Sequence, residues 1–299
     1  MAIYGLKKIA VLGFGEVGRI FASDLAAQGV VVSVFDIGVV NPKFRDSMLA
    51  KAAELKLVLH ETLPEATMEA DLVISVVTAA AAIGLAKMAA EHLKPGQIYL
   101  DLNSVSPGTK IEIDCVIVEA GADFVEGAVM APVKPQRLKS PISLGGARAA
   151  ELSEKLRALG MATTMVSERI GVASATKMCR SIVMKGLAAL ALESLFAARR
   201  YHAEDAVLAS FDATYPTMGW KDGFANDLIF RAVQHSRRRS AEMREAASTV
   251  EEAGFSPHMA LATAALQDWV TAQLDAGCIS AEDDGGFKWT EAADAMQIR

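Results

Sequence analysis

Three features of the chain combine residue type and spacing in a way that can do chemistry. Gly13-Phe14-Gly15-Glu16-Val17-Gly18 is a GxGxxG sequence, Asp36 stands at the end of the following apolar run, and Lys177 interrupts a long apolar stretch. A GxGxxG that follows a strand and opens a helix can cradle phosphate. Gly13 allows the tight turn, Gly15 lets the backbone approach a pyrophosphate, and Gly18 lets helix and strand pack closely. The helix N-terminus adds free N–H groups and a favourable dipole for negative charge. A carboxylate about 20 residues further on, as in Val34-Phe35-Asp36, accepts hydrogen bonds from ribose hydroxyls and repels a 2′-phosphate, favouring NAD over NADP. The ordinary alternative for Asp36 is a turn residue. FAD and S-adenosylmethionine proteins share such a fold, so the motif gives a nucleotide site before it gives a reaction.

Lys177 precedes Ile182, Val183, Met184 and Leu187 on a helical pattern. A lysine on a helix expected to be buried loses hydration, and its pKa should fall toward the working pH. Such a group can take a proton from a substrate hydroxyl as hydride leaves the carbon, and return it in reverse. From spacing alone a lysine that snorkels to solvent is the commoner outcome.

The elements that must position these residues follow from periodicity. Short apolar, β-branched runs at Ile9–Gly13, Val30–Phe35, Leu72–Val77 and Gln97–Leu102 alternate with helical patterns at Val17–Gln28, Lys43–Leu55, Ala80–Leu93 and Pro107–Ala120. That alternation predicts βαβ units with a parallel sheet covered on both faces. Val77 and Thr78 fall where ligands border open α/β sheets, although a small-residue helix start explains Thr78 equally well. Strand-like runs follow at Asp123–Val129, Ile142–Leu144 and Thr163–Val166, with a helix at Ala147–Leu159. Beyond about Gly171 the chain reads as helical: Ser174–Arg200, Leu228–Ala253 and Pro257–Ala276, then a tail after Gly285 without a marked pattern. The predicted architecture is α/β, an N-terminal Rossmann-type doubly wound sheet (1–168) followed by an all-helical domain (169–299).

Four segments in this order resemble the β-hydroxyacid dehydrogenases, relatives of 6-phosphogluconate dehydrogenase. They are the GFGEVG near residue 13, Asp101-Leu102-Asn103-Ser104-Val105-Ser106-Pro107, Phe124-Val125-Glu126-Gly127-Ala128-Val129, and Gly171-Val172-Ala173-Ser174-Ala175-Thr176-Lys177. The resemblance implies an NAD(P)-dependent oxidoreductase acting on a small hydroxy acid or secondary alcohol, with Lys177 as general acid and base. It implies substrate contacts from Asn103 and Ser104 and from a second loop at Ala128 and Val129. Two departures stand out. The family's asparagine four residues after the lysine is Ser181 here, with Arg180 before it. The usual Ser-Gly-Gly of the second loop reads Met130-Ala131-Pro132-Val133-Lys134, so Arg180 or Lys134 becomes a candidate for carboxylate recognition. His235, Arg239 and Glu242 fall on one face of a single predicted helix by i, i+4, i+7 spacing, as in a less characterised branch of the superfamily. On that reading His235 touches substrate; an exposed polar face is the plainer one. An imine or ketimine reductase of the same architecture is the enzymatic alternative, and a nucleotide-binding protein without turnover is the other.

Bulk properties bound the rest. The 299 residues suit two domains, and 52% hydrophobic residues supply a large core. A net charge of −6 argues against nucleic acid as partner. Cys115, Cys179 and Cys278 show no metal or disulfide spacing, and the five histidines are scattered singly, so no metal site is expected. The N-terminus lacks a signal peptide's apolar region, and the apolar stretches at 79–90 and 187–195 fall short of the ~20 residues that span a bilayer. The expectation is a cytoplasmic protein without a membrane segment. The long apolar helix predicts a homodimer, since one small domain can hardly cover it.

Overall fold

The computed structural model describes residues 5–280 and 286–296. Residues 1–4, part of the N-terminal reading, lie outside them. Eight strands form one sheet in the order β3-β2-β1-β4-β5-β6-β7-β8. They are β1 (Lys8–Leu12), β2 (Val31–Phe35), β3 (Val58–His60), β4 (Leu72–Ser75), β5 (Ile98–Asp101), β6 (Asp123–Val129), β7 (Ile142–Gly145) and β8 (Thr163–Ser167). Every neighbouring pair is parallel except β6–β7. The chain order reverses beside β1, which pairs with β2 on one side and β4 on the other. That is the switch point where the crossover connections part and leave a crevice at the strands' C-terminal ends. Both β4 and β5 are buried at every position, as strands covered on two faces should be.

The connecting helices are α1 (Glu16–Ala27), α2 (Pro42–Glu54), α3 (Leu63–Thr67), α4 (Ala79–Ala90), α5 (Pro107–Glu119), α6 (Val133–Gln136) and α7 (Ala149–Ala158). Their starts follow local chemistry. Asn41 before Pro42 and Ser106 before Pro107 each accept a backbone N–H of the first turn. β3 and α3 have no counterpart in the predicted elements, because a three-residue edge strand carries too little periodicity to register.

The second part contains α8 (Val172–Arg200), α9 (Glu204–Thr214), α10 (Ala225–Gln234), α11 (Ser236–Glu252), α12 (His258–Asp275) and α13 (Trp289–Ala295). Its core has two clusters. One gathers Leu192, Leu195, Trp220, Ile229, Val233, Val270 and Trp289. The other gathers Met178, Met243, Ala246, Ala247, Ala260 and Ala264.

Three expectations change. The chain divides into 1–177 and 178–299, nine residues beyond the predicted boundary of 168, because the first turns of α8 pack with the sheet unit. The predicted helix Leu228–Ala253 is two helices. His235 breaks it with φ −119° and ψ 20°, since α10 feeds the Trp220–Trp289 cluster while α11 feeds the Met243 cluster. The tail beyond Gly285 contains α13, whose Trp289 is buried.

α8 is 29 residues long and apolar enough to cross a membrane by length and composition, so it exceeds the apolar stretch read from the sequence. It also carries Lys177, Arg180 and Lys185, and it contributes Ala188, Ala191, Leu192 and Leu195 to a packed core.

Candidate active site

The glycine motif is a cradle by construction. Gly13 has φ +110°, a left-handed geometry, and a Cβ there would overlap the Val76 carbonyl. A Cβ on Gly18 would overlap the Gly13 carbonyl. Around Gly15 no atom lies within 4 Å of where a Cβ would stand, so this is the open side of the turn. Phe14 is buried, while Glu16 is exposed in the first turn of α1 and Val17 is half-buried. No side-chain cap covers the N-terminus of α1, which leaves its N–H groups for an anion. The residues present therefore fit a dinucleotide.

Asp36 follows β2. Its Oδ2 accepts the Phe14 N–H (2.7 Å) and its Oδ1 accepts the Gly38 N–H (2.8 Å). The turn role is what the structure shows: the carboxylate ties the end of β2 to the glycine loop, and each oxygen retains acceptor capacity. Val77 borders Gly13 through its side chain, and Thr78 is exposed at the start of α4 without a capping hydrogen bond.

The loop after β5 is held from inside. Asn103 is 4% exposed, and its amide donates to Asp101 Oδ2 (2.8 Å) and Ser75 Oγ (2.8 Å). Its side-chain oxygen accepts the Val77 N–H (2.6 Å). Asn103 therefore links the loop to the residue beside Gly13, and its amide hydrogens are spent there. Beneath it, the ammonium of Lys110 (α5) pairs with Asp101 Oδ1 and donates to the Asp101 carbonyl (2.8 Å). Both side chains are at most 1% exposed, so each charge depends on the other.

Ser104, next in the loop, is half-buried, and Lys177 Nζ donates to its Oγ at 2.6 Å. What brings Lys177 there is Glu126. This buried β6 carboxylate accepts N–H groups from Gly171 (2.8 Å), Ala173 (3.0 Å) and Ser174 (3.3 Å) at the start of α8. It satisfies orphan donors and places negative charge at the positive end of the helix dipole. Its β7 partner must be Gly145, since a Cβ there would meet the Glu126 carboxylate at 2.6 Å.

Ala128 is buried within β6 and Val129 half-buried at its end, so strand continues through both and the loop begins at Met130. Lys134 is exposed in the short α6. Arg180 is exposed and Ser181 buried on α8, Ser181 one helical turn beyond Lys177. His235 marks the α10–α11 junction, so it does not share a continuous helical face with Arg239 and Glu242 as predicted. Sequence reasoning gave no role to Glu126, Asp101, Lys110 or Ser75. The available signal was a charged residue, Glu126, in the interior of a strand whose other interior residues are apolar.

A family model described as the NAD binding domain of 6-phosphogluconate dehydrogenase matches residues 8–166. A second, a domain of unknown function (DUF1932), matches residues 198–270. The crystal structure of a conserved hypothetical protein from Sinorhizobium meliloti 1021 is similar to this chain. The two are 35% identical, with 97% of this chain and 96% of that one covered and a TM-score of 0.79. The 3-hydroxyisobutyrate dehydrogenase of Mycobacterium tuberculosis, solved with L-serine, is 16% identical. It covers 98% of this chain and 100% of its own, with a TM-score of 0.74. An imine reductase from Myxococcus stipitatus in complex with NADP+ is 21% identical, covering 97% and 100% with a TM-score of 0.55. At such identities the last two show a shared fold.

Removing the Glu126 carboxylate leaves buried N–H groups unpaired at the start of α8. Glu126→Ala is expected to lose about 2–5 kcal/mol of stability in urea unfolding, with Glu126→Gln losing less. Wild-type stability in Glu126→Ala would refute the capping role.

Proposed function

The chain belongs to the family of the NAD-binding domain of 6-phosphogluconate dehydrogenase, and from that premise we propose that it is a dehydrogenase of a small hydroxy acid or secondary alcohol. The observation that carries this reading is the 2.6 Å contact between Lys177 Nζ and Ser104 Oγ, with Ser104 on the loop that follows β5. The cofactor, when bound, accepts or returns hydride at the nicotinamide ring. The residues of the chain manage position and proton. Neutral Lys177 takes the hydroxyl proton of the substrate while the carbon loses hydride, and the ammonium returns that proton in the reverse direction. Ser104 fixes the amine and offers a hydroxyl to the same substrate oxygen. Asn103 acts from behind, keeping Ser104 in register with Val77. Ser181 and Arg180, on the turn of α8 that follows Lys177, are proposed to complete substrate recognition, together with the backbone at Ala128 and Val129.

NAD is the proposed cofactor. Asp36 presents a carboxylate at the end of β2, and the following Ile37-Gly38-Val39-Val40 supplies no cation for a 2′-phosphate. The fold shared with an NADP+-bound imine reductase keeps C=N reduction as the second reading; Asp36 and Lys177 favour the first. We also propose a cytoplasmic homodimer. α8 exposes Val183 (68%), Met184 (44%) and Leu190 (54%), an apolar surface suited to a second copy.

Titration followed by nicotinamide fluorescence is expected to show NADH binding more tightly than NADPH. The reverse order would overturn the Asp36 argument. Lys177→Ala is expected to keep NADH affinity and lose about 10²- to 10⁴-fold in oxidation rate on a panel of hydroxy acids that includes 3-hydroxyisobutyrate. An unchanged rate would remove Lys177 from the chemistry, and binding of neither cofactor would favour a protein without turnover. Light scattering at micromolar concentration should give twice the chain mass; a monomer would refute the dimer.

A further inference from the structure

The helical unit contains a cluster of charges that none of the roles above uses. Lys185 on α8 and Arg238, Arg239 and Glu242 on α11 meet there. Glu242 is largely buried and both its oxygens are engaged: Oε2 with Lys185 (2.6 Å) and Oε1 with Arg238 (2.6 Å). Arg239 is left over. Its Nη1 is buried with no hydrogen-bond partner, and no carboxylate among the described residues lies within ion-pair distance of it.

An arginine in this state is expensive. A buried donor of a charged group that finds no acceptor forfeits its hydration without return, and native structures rarely leave one so. Burial pushes the Arg239 guanidinium down to about 10, and the positive charges of Arg238 and, on α10, Arg231 push the same way against Glu242. Lys185 is also lowered by burial, with Glu242 opposing. At neutral pH the group keeps its charge, so the cluster has more cation than its carboxylate neutralises.

We propose that Arg239, backed by Lys185 and Arg238, forms an anion site in the helical unit that takes a small carboxylate or phosphate. The planar guanidinium fork matches either oxyanion, and the two flanking cations supply charge without competing for geometry. Glu242 sets the strength of the site, because it holds Lys185 and Arg238 in place while subtracting one charge. The anion has two possible sources, the carboxylate of a substrate or a separate small molecule, with the same recognition chemistry.

The test is calorimetric titration of the full chain with inorganic phosphate at constant ionic strength, without nucleotide. Saturable binding is expected, weakened at least about tenfold by Arg239→Gln and less by Arg239→Lys, which keeps the charge but loses the fork. Arg238→Gln, a change at an exposed side chain, should weaken it several-fold, and Glu242→Gln should tighten it. No saturable uptake, or equal affinity in Arg239→Gln with native circular dichroism, overturns the proposal. Lys177→Ala should bind phosphate as the wild type does, so a failure of the dehydrogenase reading leaves this test standing. Displacement of phosphate by 3-hydroxyisobutyrate would identify the site with a substrate carboxylate, and phosphate retained in its presence would identify a separate anion; both outcomes support the site.

Discussion

The candidate active site depends on Glu126. A carboxylate buried in the middle of a sheet is unfavourable unless its acceptors are filled, and the backbone at Gly171, Ala173 and Ser174 fills them. The exchange is mutual: α8 begins where its unpaired N–H groups find that carboxylate, and Lys177 lies within the turns so fixed. This is also why the sheet unit extends to Lys177 rather than ending with β8.

A second buried network holds the opposite partner of the contact. Ser104 sits on a loop that Asn103 ties to Ser75, Asp101 and Val77, and Lys110 neutralises Asp101 from below. The loop is therefore set by hydrogen bonds shielded from water, where a misplaced group has no solvent to fall back on. Because Asn103 reaches Val77, which packs beside Gly13, the loop after β5 and the nucleotide cradle share one framework. One set of buried hydrogen bonds thus fixes both the loop and the residue beside the cradle.

The two units use charge differently. In the sheet unit the buried ions are paired or capped: Asp101 with Lys110, Glu126 with three amides. In the helical unit Arg239 has no such partner among the described residues, while Glu242 is spent on its neighbours. Within one chain, paired charge marks places where the protein satisfies itself, and unpaired charge marks a place where it does not.

Features that depend on local backbone were legible in the amino-acid order. GxGxxG between a strand and a helix specifies its own turn, since Gly13 needs a positive φ and Gly18 a close approach, and both requirements are met within a few residues. Alternation of apolar runs likewise dictated the sheet, and the ordered segments around Asn103, Ala128 and Lys177 carried the family. Pairings between residues distant in the chain emerge with the folded molecule. Lys177 and Ser104 are 73 positions apart, and Glu126 is 45 positions from the first amide it caps. No periodicity encodes such pairings. The same holds for His235, where a helical pattern continuous in sequence breaks because its two halves bury their apolar faces in different clusters. Asn103 shows the limit most plainly: its position was legible from the order of motifs, but its work, holding a loop rather than displaying an amide, is set by which groups the folded chain brings within reach.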